Sequence, residues 1–204
     1  LLGKLMSAGK RLITGESLFM TAFTNNGQGK KRVSFASPYT GKIIKFDLSL
    51  LGGKIIAQKD AFLCSAKGVS IGIEFQRRLG TGIFGGEGFI MQKLEGDGLA
   101  FAHAGGYVVE RELKPGEILK VDTGCVVAYT PNVDFDVEMV RGIKNFMFGG
   151  EGLFFAKLTG PGHVWLQSLP ISRLAGRIMQ YGTYKRKEEG GVLGGLGNLL
   201  DGRE

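Results

Sequence analysis

The chain has 204 residues, 26 Lys and Arg against 19 Asp and Glu (formal net charge +7), 35 Gly and two Cys. This length holds one all-β domain or two smaller ones, and the glycines are scattered among Val, Ile, Phe and Leu runs without a three-residue period, which excludes collagen and disorder. The moderate positive charge favours acidic partners such as nucleic acid or anionic lipid, and no apolar run reaches the length of a membrane span.

Leu1, Leu2, Leu5, Met6, Leu12 and Ile13 recur at helical intervals with Lys4, Lys10 and Arg11 between them, predicting a short amphipathic helix that ends near Gly15. It caps the sheet or lies on a membrane or partner. The chain opens Leu1-Leu2 rather than with Met, and an N-terminal piece is expected to be missing.

From Ser17 the period becomes that of strands. Leu18 to Thr24, Arg32 to Ala36, Lys42 to Leu48, Lys54 to Gln58 and Phe62 to Ala66 are β-rich runs separated by turn chemistry, the pattern of a sandwich or barrel. Val69 to Phe75 and Val133 to Met139 alternate strictly, giving each one buried and one wet face. Phe89-Ile90-Met91 and Leu153-Phe154-Phe155 are apolar on both faces and read as covered strands. Gly96-Asp97-Gly98 and Gly160-Pro161-Gly162 are expected to be hairpin loops feeding Leu99 to His103 and His163 to Gln167. Lys114-Pro115-Gly116-Glu117 is a turn of the Pro-Gly kind, and Pro170 to Met179 a short helix with Pro in its first turn.

These runs are organised by a repeat. Phe84-Gly85-Gly86-Glu87-Gly88 returns 64 positions later as Phe148-Gly149-Gly150-Glu151-Gly152, and from Phe84 to Phe101 nine of eighteen positions match their counterparts. Chance gives about one or two. Ile55 to Ser65 lies roughly over Ile118 to Ala128, and Gly15-Glu16-Ser17-Leu18-Phe19-Met20 is a fainter third copy. The expected architecture is one all-β domain over 1–180, in modules of approximately 15–85, 86–149 and 150–180, the first lacking its N-terminal strands. Residues 181–204 form a Gly/Leu-rich tail. Gly86, Glu87, Gly88, Gly150, Glu151 and Gly152 then mark repeat boundaries, the glutamates securing Gly turns rather than moving protons.

Catalytic chemistry has little support. Gly80-Thr81-Gly82-Ile83-Phe84-Gly85 has the G-x-G-x-x-G spacing, but a strand follows where a dinucleotide site needs a helix. His103 and His163 do not coincide when the repeats are aligned, and without His-x-His or Cys-x-x-Cys no metal or other cofactor is expected. Cys64 and Cys125 read as two buried thiols in a reducing compartment. Basic runs stand at Lys30-Lys31-Arg32, Arg77-Arg78 and Lys185-Arg186-Lys187. The first, near Phe35 and Tyr39, is the candidate contact for an anion or nucleic acid.

The repeated pentapeptide, Gly15 to Met20, the run Gly160-Pro161-Gly162-His163-Val164-Trp165-Leu166-Gln167-Ser168-Leu169-Pro170 and the basic helix after it resemble the altered-inheritance-of-mitochondria (mitochondrial biogenesis) type family, up to about Arg177. That resemblance implies an all-β, pseudo-threefold arrangement of β-sandwich or β-roll units grouped with the tryptophan RNA-binding attenuator protein, assembling into homo-oligomers. It carries over no catalytic residues. The expectation is a non-enzymatic binding or scaffold protein, with a single-stranded nucleic-acid-binding module or a peripheral membrane-associated assembly factor as alternatives. A prokaryotic source would place it in the cytoplasm and a eukaryotic one in mitochondria.

Overall fold

The computed structural model describes residues 21–77, 89–139 and 154–181. Both Phe-Gly-Gly-Glu-Gly copies, with Gly86, Glu87, Gly88, Gly150, Glu151 and Gly152, lie outside them. So do the 1–13 helix, Arg78 and the tail from 182 onward.

The described chain is all-β, with twelve strands and one helix among the described residues. The strands are β1 (Gly41–Asp47), β2 (Lys54–Gln58), β3 (Phe62–Ser65), β4 (Ser70–Arg77), β5 (Phe89–Glu95), β6 (Leu99–Gly105), β7 (Val108–Leu113), β8 (Ile118–Asp122), β9 (Val126–Tyr129), β10 (Asp134–Met139), β11 (Phe154–Thr159) and β12 (Gly162–Gln167). Helix α1 covers 171–181, and the Pro170 carbonyl accepts its first bond from the Leu174 N–H. Residues 21–40 form no strand, so Arg32 to Ala36 is not one, and of the expected Leu18 to Thr24 only 21–24 lie within the described residues. All of 21–36 are exposed, Phe23, Val33 and Phe35 included, and among the described residues no strand pairs with them.

Every strand pairing is antiparallel. The sheets run β1-β6-β3, β10-β11-β8 and β4-β5-β2-β9-β12-β7. Successive strand residues point to opposite faces, and β2 shows what that does here. Ile55 and Ala57 enter a core with Phe46, Leu94, Ala100, Ala102, Ala104 and Trp165, while Ile56 enters another with Phe89, Met91, Val137, Ala156 and Leu158. The six-stranded sheet is thus the middle layer, covered on one face by β1-β6-β3 and on the other by β10-β11-β8. This explains why β5 is buried from Phe89 to Gln92. Phe155 differs from expectation: it faces outward on a flanking sheet and is 39% exposed.

Gly96-Asp97-Gly98 and Gly160-Pro161-Gly162 are not hairpins. Each carries the chain out of one sheet and into another, since β5 and β6, like β11 and β12, never pair with one another. The close layer crossing demands glycine. Gly96 has φ +153°, where a Cβ would stand 2.6 Å from the Gly68 carbonyl oxygen, and Gly162 has φ +145°, where it would meet Thr130 Oγ1 at 2.5 Å. Lys114 to Glu117 is the expected turn, with the Glu117 N–H donating to the Lys114 carbonyl at 2.9 Å and Gly116 at φ +75°.

Elements recur at a fixed offset. The spans of β2, β3 and the one-turn helix Lys59–Ala61, moved by 64, become those of β8, β9 and Thr123–Cys125. Hydrogen bonds recur with them. Ala66 N–H to Leu99 O (2.8 Å) has its counterpart in Thr130 N–H to His163 O (2.9 Å), and Gly96 N–H to Gly53 O (3.0 Å) in Gly160 N–H to Glu117 O (2.9 Å). Gln58 Oε1 accepts from the Asp60 N–H just as Asp122 Oδ1 accepts from the Gly124 N–H.

Phe46, 1% exposed, meets the chain's single tryptophan, Trp165, edge to face with ring centroids 5.0 Å apart. Phe46→Ala should cost about 3–5 kcal/mol in urea unfolding and shift native Trp165 emission to the red. Unchanged emission would place Trp165 outside this contact.

Candidate functional site

Lys30, Lys31 and Arg32 lie on the irregular segment 21–40, all exposed. An Asn25 turn shapes it: Asn25 Oδ1 accepts from the Gly27 N–H (3.1 Å) and its Nδ2 donates to the Gly29 carbonyl (2.7 Å). On either side of the turn Phe23 and Phe35 meet edge to face, centroids 5.5 Å apart, while 63% and 42% exposed. The loop therefore offers three cations and two accessible rings together. Of the other basic runs, Arg78 and 185–187 lie outside the described residues.

Where the segment reaches the sheet, Tyr39 covers His103. Their rings stand 4.2 Å apart, edge to face, and His103 is 2% exposed although it is on the outer face of β6. Among the described residues neither ring nitrogen has a partner in full hydrogen-bond geometry. Burial pushes the imidazole below its ordinary pKa, opposed in part by the nearby Tyr39 backbone; burial and then Asp60 raise the Tyr39 phenol. At the position 64 residues on, Gln167 satisfies the same kind of site fully, accepting from the Gly105 N–H (2.7 Å) and donating to the Gly124 carbonyl (2.8 Å). His163 is on the middle sheet, its Nδ1 3.8 Å from Glu110 Oε1, so the two histidines belong to different sheets. Among the described residues no group of three or more His, Cys, Asp or Glu could hold a metal ion. Cys64 and Cys125 form no disulfide with one another and are partly exposed rather than buried, and burial raises the Cys64 pKa.

Two features were not anticipated from sequence. Among the described residues, the edges of β3 and β8 carry no strand partner on one side, although their counterparts β9 and β2 pair with one another. Because the Ala66 N–H donates to Leu99 O, Ser65 and Ala100 form a non-hydrogen-bonded pair, and the Ser65 N–H and C=O point out of the open edge. The same geometry at Thr130 and His163 turns the Tyr129 backbone toward Ile56. The 64-residue offset, carried into strand pairing, is the signal that would have found these edges. The outer face of β10-β11-β8 is closed by charge pairs, Lys120 to Glu138 at 2.6 Å and Lys157 to Glu138 at 3.8 Å, which hold the Glu138 carboxyl below its ordinary pKa.

The sequence profile of a family described as mitochondrial biogenesis AIM24 matches residues 2–169. The chain belongs to the AIM24 family. It is 32% identical over 184 residues to an uncharacterized protein of Streptococcus pyogenes serotype M6, covering 88% of this chain and 71% of that one. A crystal structure of a Streptococcus pyogenes protein superimposes with a TM-score of 0.58 at 25% identity, over 71% of this AIM24 chain. The match spans 62% of that solved chain.

His103 ties AIM24 stability to acid. A histidine whose folded pKa is lowered binds fewer protons than the unfolded chain, so its contribution is complete above the unfolded value, about 6.5, and is lost as pH falls through the folded one. The urea midpoint should therefore drop between neutral pH and mild acid, and His103→Gln, which copies Gln167, should flatten that drop. An equal acid loss in the variant would assign the effect elsewhere.

Proposed function

We propose that this AIM24 chain is a non-enzymatic scaffold whose six-stranded units associate through sheet edges. One observation carries the reading: β3 and β8 present the same two edge types that β9 and β2 have already joined inside the chain. The units run from β1 to β6 and from β7 to β12, within one domain. Their boundary falls at Gly105 to Val108, and the glycine-rich pentapeptides sit in the connections between the paired strands β4–β5 and β10–β11. A third position around a pseudo-threefold axis, taken by a further unit of the same design, would pair its strands with β3 at Cys64–Ser65 and with β8 at Lys120–Val121. Those are the positions 64 residues from the existing seam. Another copy of the chain can supply it, giving a homo-oligomer. Unpaired edges are otherwise a liability that proteins block. Two cysteines not joined in a disulfide agree with a reducing compartment, the cytoplasm in a prokaryotic source.

A second reading rests on the 21–40 loop, where exposed Phe23 and Phe35 beside Lys30, Lys31 and Arg32 have the cation-plus-ring composition that grips single-stranded nucleic acid. Replacing all three cations by Ala should weaken single-stranded RNA binding at low salt and flatten the log–log salt slope by about 2. No binding by the parent chain, or an unchanged slope, removes this reading.

The scaffold reading is tested by sedimentation velocity at micromolar concentration. The chain should form a defined oligomer, and Ser65→Pro or Lys120→Pro should shift it to smaller species with the circular dichroism spectrum retained, because proline is tolerated where the N–H faces away from the neighbouring strand. A parent chain that is strictly monomeric sinks it.

A further inference from the structure

Helix α1 leaves most of its apolar side uncovered. Around the helix, Ile171, Leu174, Ala175, Ile178, Met179 and Tyr181 form one continuous apolar arc, and Ser172, Arg173, Gly176, Arg177 and Gln180 the polar one. A surface helix of a globular protein turns its apolar arc to the core. Here the half-buried positions are Arg173, Leu174 and Gly176, and the helix is tied down through Arg173, whose Nη2 is 2.8 Å from Asp122 Oδ2 at the end of β8. The apolar arc looks outward: Ile171 is 42% exposed, Ile178 62%, Met179 72% and Tyr181 73%.

We propose that this arc is the docking face for an anionic lipid membrane, with α1 lying in the plane of the headgroups. The proposal is separate from edge pairing, since β3 and β8 play no part in it. Length excludes crossing, because no helix among the described residues is long and apolar enough to span a bilayer. Area disfavours a second copy as the occupant. One stripe of a three-turn helix offers far less than the roughly 800 Å² per partner of a standard protein interface, whereas single amphipathic helices of this composition bind membrane surfaces. Charge selects the lipid. Arg177 borders the apolar arc, the sequence continues to Lys185-Arg186-Lys187, and the chain carries a net +7. Tyr181 gives the arc an amphipathic ring suited to the headgroup level.

The experiment is flotation of the full chain with vesicles of phosphatidylcholine alone and of phosphatidylcholine with phosphatidylglycerol. The protein should float with the second kind, less so at raised salt. Ile178→Ser, which leaves the charge unchanged, should lower binding by about tenfold, and Arg177→Gln should reduce the salt-sensitive part. Both residues are exposed, so the variants should keep the parent's thermal midpoint. Absence of flotation by the parent, or flotation indifferent to Ile178→Ser, overturns the proposal. So does flotation that appears only when residues 183–204 are removed, which would give the arc to the tail, and so does a parent oligomer that Ile178→Ser dissociates without lipid, which would give it to a second copy. Loss of oligomer in Ser65→Pro with flotation intact would separate this face from the sheet edges.

Discussion

The seam between β2 and β9 is the constraint on which the rest of the structure depends. Only two residue pairs make it, Ile56 with Tyr129 and Ala57 with Ala128, all nearly inaccessible to solvent. It fuses a three-stranded sheet from each half of the chain into one middle layer, and both cores form against that layer. A buried strand edge cannot leave its N–H and C=O groups unmet, so opening the seam would expose backbone to two apolar cores at once. Aromatic side chains from both halves lock the same region. Phe135 stacks on Tyr129 at 5.2 Å and Phe89 at 5.6 Å and meets Phe75 edge-on at 5.1 Å. Burial, with the carboxylates of Glu74 and Asp134, holds the Tyr129 phenol well above its ordinary pKa.

Much of the strand content was legible because it is local. Lys54 to Gln58 is read from its β-branched run and found as β2, and the alternation of Val133 to Met139 is found as β10, with Val137 buried between exposed Asp136 and half-buried Glu138. Which strand pairs with which was not local. Gly96-Asp97-Gly98 carries the chemistry of a tight turn whether the chain folds back along its own sheet or crosses to the next. The choice is made by Gly68 and Val69, whose backbone crowds Gly96 from the turn between β3 and β4. The stretch from Arg32 to Ala36 differs for the converse reason, since its local β propensity is adequate but no strand among the described residues pairs with it.

The candidate surfaces divide in the same way. Lys30, Lys31 and Arg32 are visible as a basic run, and their exposure follows from composition alone. The burial of His103 was legible only as a strand residue, because the ring that covers it comes from Tyr39, on a segment with no periodicity. Its counterpart Gln167 shows that a planar polar side chain fits this position when a carbonyl and an N–H are within reach. Imidazole in the same place has no such pair of well-formed bonds among the described residues.

The two flanking sheets have equivalent standing against the middle layer yet unlike outer faces. That of β10-β11-β8 is laced by Lys120, Lys157 and Glu138, each charge answered by another across the strands. That of β1-β6-β3 presents Ile43, Leu99, Phe101 and Cys64 together with Lys45 and Asp47, with Ile43 47% exposed and Tyr39 laid over His103. A repeated fold supplies the same scaffold twice, and the side chains on its outer surfaces are then free to diverge, because neither core depends on them. Exposed Ile43 lies on the face that adjoins the edge of β3, whereas the Lys120–Glu138 pair lies on the face that adjoins that of β8. An incoming strand would therefore meet different surroundings at each edge, which favours head-to-tail association over a symmetric pairing of like edges.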